Sequence, residues 1–396
     1  MSNLSCSQEE AAPRFFWHDI GKEKNGDNCP TFSHDFSMSH IKLFIPGPVE
    51  VSEKTFRAFC SPMVGHRGTG FQDLYASIQP KLQELLYTKN PVFLSTSSAW
   101  GVMEASLRNL VRPGKKVLCC MCGAFSDKWF DVARSNGIVA DKVQVEWGQP
   151  ITPDLIEAKL KEGGFDAMTL IHNETSTGTM SPLVDIAKVV RKFPETLLIV
   201  DSVSSMTAVK IEMDALGLDV LLAGTQKAFA MPPGLAILAV SPRAFERSQS
   251  VPNRGYYFDF MEFLKNHEKH MTPSTPSIGH IYALKSKLED IFTEGLDRRF
   301  ARHLEMAQMT RRWVTDRGFT MFPKVGYESI TLSCVANTRQ VDVAAWIKRL
   351  KERHKCIIDG GYGKIKGISF RISHMGDETP DTIRKLLGWL DDTMQS

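Results

Sequence analysis

The chain has 396 residues, of which 42% are apolar and 23% charged, with 48 basic against 45 acidic side chains and a formal net charge of +3. This length suffices for two domains and a large buried core. The near balance of charge gives no electrostatic argument for nucleic acid or an anionic membrane surface, and no apolar run approaches the roughly 20 residues that span a bilayer. We therefore predict neither partner.

Residues 1–40 are polar and mixed in charge, and they lack the apolar core of a secretory signal. We expect this segment to be a flexible N-terminal arm of a cytoplasmic protein. The chain has eight cysteines and no paired CxxC framework, so we expect reduced cysteines that serve packing, and no metal site. These cysteines are Cys6, Cys29, Cys60, Cys119, Cys120, Cys122, Cys334 and Cys356.

From Ile41 onward, short apolar runs alternate with longer amphipathic stretches. The runs occupy residues 91–95, 116–120, 167–171, 197–200, 220–222 and 235–240. Strands of this length that are apolar throughout favour a mostly parallel sheet covered by helices on both faces. The sequence thus predicts an α/β fold.

The alternation fades after about residue 250. A Pro- and Ser-rich segment at 271–276 precedes a long helical pattern from 278 to 317, and two further strand and helix patterns follow. We predict a large domain over residues 41–277, then a long connecting helix and a small C-terminal α+β domain over residues 278–396.

Lys227 follows the apolar run 220–222 and precedes small and apolar residues, Ala228 to Gly234. Burial lowers the pKa of an ammonium group, which is how a lysine becomes a Schiff-base nucleophile near neutral pH. On this segment alone, a lysine that reaches solvent from a strand end is an equally good interpretation.

Asp201 ends the apolar run 197–200, at the edge of an open α/β sheet where ligands bind. A helix cap is the simpler reading of an aspartate followed by Ser202. However, a protonated pyridinium nitrogen needs a carboxylate partner, and Lys227 follows a later strand. Together the two residues point to a pyridoxal phosphate site.

Other predicted strand ends carry polar or aromatic residues. The small hydroxyl residues 95–98 enter a helix, and a helix N-terminus binds phosphate readily. Phe125 could stack on a planar ring, although a core position is the plainer interpretation. Residues 172–179 (HNETSTGT) are too polar for routine packing.

In combination and order, three motifs resemble the signatures of class V aminotransferases of fold type I. They are residues 224–227 (GTQK), 201–205 (DSVSS) and 172–178 (HNETSTG), and the likeness extends from Phe44 to Gly376. The nearest resemblance is to serine–glyoxylate and alanine–glyoxylate aminotransferases. It implies a seven-stranded, mostly parallel sheet in the large domain.

The resemblance also implies a role for each matching residue. Lys227 would carry pyridoxal phosphate as a Schiff base and act as the catalytic proton shuttle, and Arg371 would bind the substrate carboxylate. Thr275 would reach the phosphate of a neighbouring subunit, which requires a homodimer. The other expected cofactor ligands are Asp201, Val203, Ser98, Phe125, Thr175 and Gln226, with Ala99 and Trp100 at positions where some members have glycine and histidine. Thr272 stands where some members have a tyrosine.

The activity expected is a ping-pong transfer of an amino group from serine or alanine to glyoxylate or pyruvate. Gly47, in the sequence Pro46-Gly47-Pro48, would crowd the pocket and favour such small substrates.

Three alternative functions remain. One is a pyridoxal phosphate lyase resembling cysteine desulfurase or kynureninase. The second, a nicotinamide-dependent dehydrogenase, lacks a GxGxxG that opens a helix after the first strand. The third is a binding protein that has lost catalysis, against which Lys227, Asp201 and Arg371 argue.

Overall fold

The computed structural model describes residues 40–394. The predicted arm lies outside them, apart from His40. The strands are β1 (Lys42–Leu43), β2 (Val92–Ser95), β3 (Lys116–Met121), β4 (Val139–Gln144), β5 (Phe165–Ile171), β6 (Asn173–Glu174), β7 (Thr179–Met180), β8 (Leu197–Asp201), β9 (Val220–Gly224), β10 (Ala236–Val240), β11 (Thr320–Met321), β12 (Leu332–Ala336), β13 (Cys356–Ile357) and β14 (Ser369–Ser373). The α-helices are α1 (Glu53–Phe59), α2 (Thr69–Leu86), α3 (Ala99–Leu110), α4 (Ala124–Ser135), α5 (Pro153–Leu160), α6 (Leu183–Val190), α7 (Met213–Leu216), α8 (Pro242–Gln249), α9 (Phe260–His267), α10 (Ile278–Glu294), α11 (Leu296–Asp316), α12 (Val343–His354) and α13 (Pro380–Met394).

A seven-stranded sheet forms the centre of the fold, in the order β2-β10-β9-β8-β5-β3-β4. Strands β9, β8, β5, β3 and β4 pair in parallel, whereas β10 runs antiparallel to both of its neighbours. The reversed β10 lies between β9 and β2, so β2 runs in the same direction as the parallel strands. The predicted α/β fold with its mostly parallel sheet is confirmed.

Both faces of this sheet are covered, which explains why its strands are apolar throughout. Successive side chains of β10 enter different clusters: Ile237 and Ala239 pack with α2, α6 and α10, whereas Leu238 and Val240 pack with α3, α8 and α9. A strand that alternates between two apolar layers has no polar face.

A smaller antiparallel sheet, β11-β12-β14, forms a separate core with α11, α12 and α13. Aromatic rings dominate this core, with Phe319 and Trp346 stacked 6.3 Å apart and Phe370 edge-on to both. Strand β1 pairs in parallel with β13, which brings the first described residues to the C-terminal elements. The proposed domain boundary at residues 277 and 278 stays a prediction.

The long connecting helix predicted from residue 278 to 317 is two helices. Helix α10 ends and α11 begins at Gly295, whose φ of 85° lies outside the helical region. Buried residues of α10, such as Leu284, pack against the large sheet, whereas Trp313 of α11 belongs to the smaller core. The break at Gly295 therefore lets consecutive helices serve two cores.

No helix within residues 40–394 has the length and apolarity needed to cross a bilayer. The carboxyl ends of β2, β3, β5, β8 and β9 lie at one edge of the large sheet. In open α/β sheets this is the edge at which ligands bind. The candidate site is built there.

Candidate active site

Lys227 lies in a cavity just beyond the end of β9. Its amino group donates a hydrogen bond of 3.3 Å to the hydroxyl oxygen of Thr175. Burial, followed by the positive charge of Arg371, lowers the pKa of Lys227 from 10.5 to about 8, and the nearby carboxylates, Asp201 among them, oppose part of this decrease. A substantial fraction of this amine is thus unprotonated near neutral pH, as a Schiff-base nucleophile requires.

Helix α11, which lies outside the large sheet, holds the loop that carries Lys227 in place through Arg299. The carbonyl oxygen of Ala228 accepts hydrogen bonds from the Thr207 hydroxyl at 2.8 Å and from Arg299 Nη2 at 3.0 Å. Arg299 Nε also donates to the carbonyl of Thr207 at 3.1 Å. Arg299, on α11, is only 2% exposed. Nothing in the spacing of these residues predicts their meeting.

Asp201 ends β8 and lines the same cavity as Lys227. Its Oδ1 accepts a hydrogen bond of 2.7 Å from the backbone N–H of Val203. The pKa of Asp201 is raised to about 7, mainly by burial; the hydrogen bond from Val203 opposes this increase and the nearby negative charge of Glu174 adds to it. Oδ2 has no hydrogen-bond partner among residues 40–394 and is available to a cation.

The N-terminus of α3 forms another wall of the cavity. Ser98 is the N-cap of α3, yet its side chain makes no capping hydrogen bond. Ala99, Trp100 and Gln226 line the cavity beside it. A helix N-terminus whose cap hydroxyl is uncommitted attracts phosphate.

Only glycine fits at position 224, because the side chains of Gln226 and Ala99 leave no room for a Cβ atom there. A Cβ atom on Gly224 would lie 2.6 Å from Gln226 Oε1 and 3.3 Å from the Ala99 side chain. Any larger residue would displace Gln226 from its place over the end of α3.

Phe125 is held in place by Glu174, a residue whose role the sequence does not predict. The fully buried Glu174 carboxylate accepts hydrogen bonds from the backbone N–H groups of Ser126 at 3.0 Å and Phe125 at 3.4 Å, and so caps α4 from outside. The Lys227 amino group lies 5.6 Å from the centroid of the Phe125 ring. Only Gly123 leaves room for Glu174, since a Cβ atom there would lie 2.4 Å from Glu174 Cγ.

Arg371, on β14, lies beside Thr175, which lines the cavity. Its Nη1 donates a hydrogen bond of 2.8 Å to the carbonyl oxygen of Thr175, and its Nε donates at 2.8 Å to Asp359 Oδ1. The guanidinium also lies over the ring of Tyr362, with its Cζ 5.3 Å from the ring centroid, and Tyr362 in turn stacks on Phe125 at 5.2 Å. The sequence prediction missed Asp359 and Tyr362.

The fold brings together all but one of the residues predicted to form the site. Nine of them line the cavity: Ser98, Ala99, Trp100, Phe125, Thr175, Asp201, Val203, Gln226 and Lys227. Gly47 approaches Lys227 so closely that a Cβ on the glycine would lie 2.8 Å from Lys227 Cε, and Arg371 contacts Thr175. The exception is Thr275, which is exposed and lies 3.3 Å from His66 Nε2.

The donor set fits pyridoxal phosphate. It combines a half-buried amine of lowered pKa, a carboxylate with one uncommitted oxygen, an aromatic ring and an uncapped helix N-terminus. The cavity also contains Asn173, whose buried Oδ1 has no partner within the part of the chain that the structure describes. In the same part of the chain there is no cluster of His, Cys, Asp and Glu suited to a metal ion.

Known proteins that resemble this chain in sequence and in structure are aminotransferases. The family model for class V aminotransferases matches residues 52–364. The L-aspartate–glyoxylate aminotransferase of Paracoccus denitrificans is 31% identical over 86% of this chain and 88% of its own, and the serine–glyoxylate aminotransferase of Arabidopsis thaliana is 30% identical over 85% of each. The crystal structure of an alanine–glyoxylate aminotransferase from Nostoc superposes with a TM-score of 0.84 at 29% identity, over 90% of this chain and 96% of that one.

Proposed function

Because the chain belongs to the class V aminotransferase family, we propose that it moves an amino group from serine or alanine to glyoxylate or pyruvate by a ping-pong mechanism. Membership of the family makes the protein an aminotransferase with pyridoxal phosphate as its cofactor. The observation that carries the proposal is the placement of Lys227 and Arg371 on either side of Thr175. An amine and a carboxylate-binding group are thereby held at one small site.

Bound pyridoxal phosphate supplies an electron sink that stabilises negative charge at the substrate Cα. Lys227 would carry the cofactor and, once displaced by the donor, move the proton at Cα. A lysine with a pKa of about 8 suits both directions of this transfer, since the ideal pKa of a general acid–base group lies near the working pH. Thr175 would hold the lysine amine in position between proton transfers.

Asp201 would stabilise a positive charge on the ring nitrogen of the cofactor. Without a cation opposite it, the buried carboxyl has a pKa of about 7. An opposite charge at hydrogen-bond distance lowers the pKa of a buried carboxyl and keeps it ionised. Val203 and Phe125 would pack on the faces of the ring, and Ser98, Ala99, Trp100 and Gln226 would surround the phosphate at the N-terminus of α3.

Arg371 would bind the α-carboxylate of the donor. Gly47 would limit the size of the donor, because its backbone packs against the Lys227 side chain, which the donor must approach, and a Cβ atom on Gly47 would already lie 2.8 Å from Lys227 Cε. A pocket closed by backbone on this side favours small substrates.

The rival desulfurase reaction needs a mobile, ionisable cysteine. Cys334 and Cys356 are buried, and burial raises their pKa values to about 12 and about 11. Of the cysteines in residues 40–394 only Cys60 is exposed. These properties favour amino transfer over sulfur removal.

The six cysteines within residues 40–394 are all free of disulfides, which supports a reducing, cytoplasmic location as part of the proposal.

We further propose that the active unit is a homodimer in which Thr275 reaches the phosphate site of the neighbouring subunit. Its support is the position of Thr275, exposed and outside the cavity of its own chain. Light scattering should give twice the chain mass. Refolding the inactive variant Lys227→Ala/Ser98→Ala together with Thr275→Ala should raise the activity above that of either variant alone, because all three substitutions then fall in one hybrid site and the other hybrid site has all of its residues.

A matrix of donors and acceptors tests the proposed function. Purified protein loaded with pyridoxal phosphate is mixed with serine, alanine, aspartate or aminoethylphosphonate as donor and glyoxylate or pyruvate as acceptor. We expect the highest kcat/KM for serine or alanine with glyoxylate. Half-reactions without acceptor should convert the visible absorbance of the cofactor in one turnover. The absence of any amino transfer would refute the function, and a preference for the phosphonate would refute the role of Arg371.

A further inference from the structure

The guanidinium of Arg371 is fixed on one edge by a carboxylate of its own chain. Asp359 Oδ1 accepts from Arg371 Nε at 2.8 Å and from the backbone N–H of Gly361 at 2.9 Å. The backbones of Asp359 and Arg371 also exchange both of their hydrogen bonds, at 2.7 and 3.1 Å. These bonds hold the Asp359 carboxylate in a fixed position beside β14.

These contacts determine which N–H groups of Arg371 remain for a ligand. Nε is bonded to Asp359 and one N–H of Nη1 to the Thr175 carbonyl, whereas Nη2 has no hydrogen bond within residues 40–394. Tyr362 covers one face of the guanidinium. One edge, formed by Nη1 and Nη2, is left, and this edge accommodates one carboxylate in bidentate geometry.

The charges around this edge do not favour a second carboxylate. Arg371 and Asp359 form an ion pair with side chains 5% and 27% exposed. Both are close enough to Lys227 to shift its pKa, Arg371 downward and Asp359 upward. The other charged side chains near the cavity are both carboxylates: Asp201 lines the cavity, and Glu174 contacts the backbone of Phe125. Among the described residues of its own subunit that face the site, Lys227 and Arg371 are the only cations, and neither has a free edge for a second anionic group.

We propose that Asp359 is a specificity-determining residue, acting through Arg371, that makes the enzyme select donors with a single carboxylate and reject dicarboxylic amino acids such as aspartate. The proposal rests on the proposed transaminase function and narrows its substrate class. Asp359 restricts Arg371 to one carboxylate-binding edge and places a fixed negative charge beside it. A second carboxylate would meet repulsion with no compensating cation.

Asp359→Asn tests this with little change of shape, since the amide oxygen can still accept from Arg371 and Gly361. The matched control is Asp391→Asn. Asp391 also pairs with an arginine, Arg317, through bonds of 2.7 Å, but on α13, away from the cavity. We expect wild type to favour alanine over aspartate by at least about tenfold in kcat/KM, and Asp359→Asn to reduce that ratio about tenfold. Asp391→Asn should leave the ratio unchanged.

Binding of two unreactive probes gives a readout that does not require turnover. Calorimetry of the holoenzyme with propionate and succinate should show a preference for propionate in wild type that shrinks about tenfold in Asp359→Asn. A wild type that prefers aspartate and succinate, or an Asp359→Asn ratio within about twofold of wild type, would overturn the proposal. Equal weakening of both probes would reduce Asp359 to a purely structural support and would overturn it too. Absence of amino transfer from every donor would instead refute the proposed function, while the probe ratio would still report on Asp359.

Discussion

Arg371 and Thr175 are joined by a hydrogen bond of 2.8 Å from the guanidinium to the backbone carbonyl. This bond links β14 of the small sheet to the turn between β6 and β7, which follows β5 of the large sheet. The hydroxyl of the same threonine lies 3.3 Å from the amine of Lys227. Thr175 therefore sets the position of both groups that the reaction would use.

The coupling of Lys227 to Arg371 predicts a pH profile for the capture of pyridoxal phosphate by the cofactor-free protein. Only the unprotonated amine attacks, and the folded protein lowers the pKa of Lys227 to about 8. The capture rate, followed by absorbance, should therefore rise with pH and level off above about 8. Arg371→Gln should move the midpoint upward, because it removes a positive charge that disfavours the ammonium form.

The exposed Arg298 offers a matched control for that titration. Arg298→Gln should leave the midpoint where wild type has it. A wild-type midpoint near 10.5, the ordinary value for lysine, would contradict the assignment of Lys227 as a desolvated nucleophile.

Glu174 should matter for the position of Phe125 and for stability. Its carboxylate accepts hydrogen bonds from Ser126 and Ser176 as well as Phe125. Glu174→Gln replaces an accepting oxygen with an N–H₂ group that cannot accept, so we expect a loss of about 1–3 kcal/mol in the free energy of unfolding. Urea denaturation measures this loss, and the affinity for pyridoxal phosphate should fall in parallel. Exposed Glu162→Gln should change stability by less than about 0.5 kcal/mol. Equal effects of the two variants would contradict the capping role.

Much of this arrangement is predictable from local sequence. The apolar runs fix the strands, and parallel strands end at one edge, so Asp201, Lys227 and the residues after β2, β3 and β5 had to lie near one another. The resemblance added Arg371, which lies on a different sheet and which no local pattern connects to Lys227.

The missed features depend on tertiary contacts. Asp359 meets Arg371 because a glycine-containing loop pairs with β14, and an aspartate before two glycines carries no sign of that pairing. Glu174 lies within a motif that the sequence singled out, but its partner helix lies about fifty residues earlier in the chain. The break at Gly295 was missed because apolar periodicity continues across it, and a single glycine is tolerated inside helices.

Arg299 should act as a positioning residue for the lysine loop. Arg299→Met leaves the carbonyl oxygens of Thr207 and Ala228 without one donor each in a buried place. We expect a loss of about 2–4 kcal/mol in the free energy of unfolding and faster release of the cofactor on dilution, followed by fluorescence.

Arg298→Met is the control, because this neighbour is exposed and contacts neither carbonyl. If Arg299→Met loses stability but retains the capture rate and pH midpoint of wild-type Lys227, Arg299 supports the fold alone and does not position the lysine.

Reduction of the holoenzyme with borohydride, followed by digestion and peptide mass spectrometry, identifies the residue that holds the cofactor. Borohydride converts a Schiff base into a stable secondary amine, so the modified residue can be read from the fragments. We expect one pyridoxyl adduct per chain, on Lys227, and none after Lys227→Ala. An adduct on a different lysine of wild type, or no adduct in protein that has been loaded with pyridoxal phosphate, would contradict this expectation.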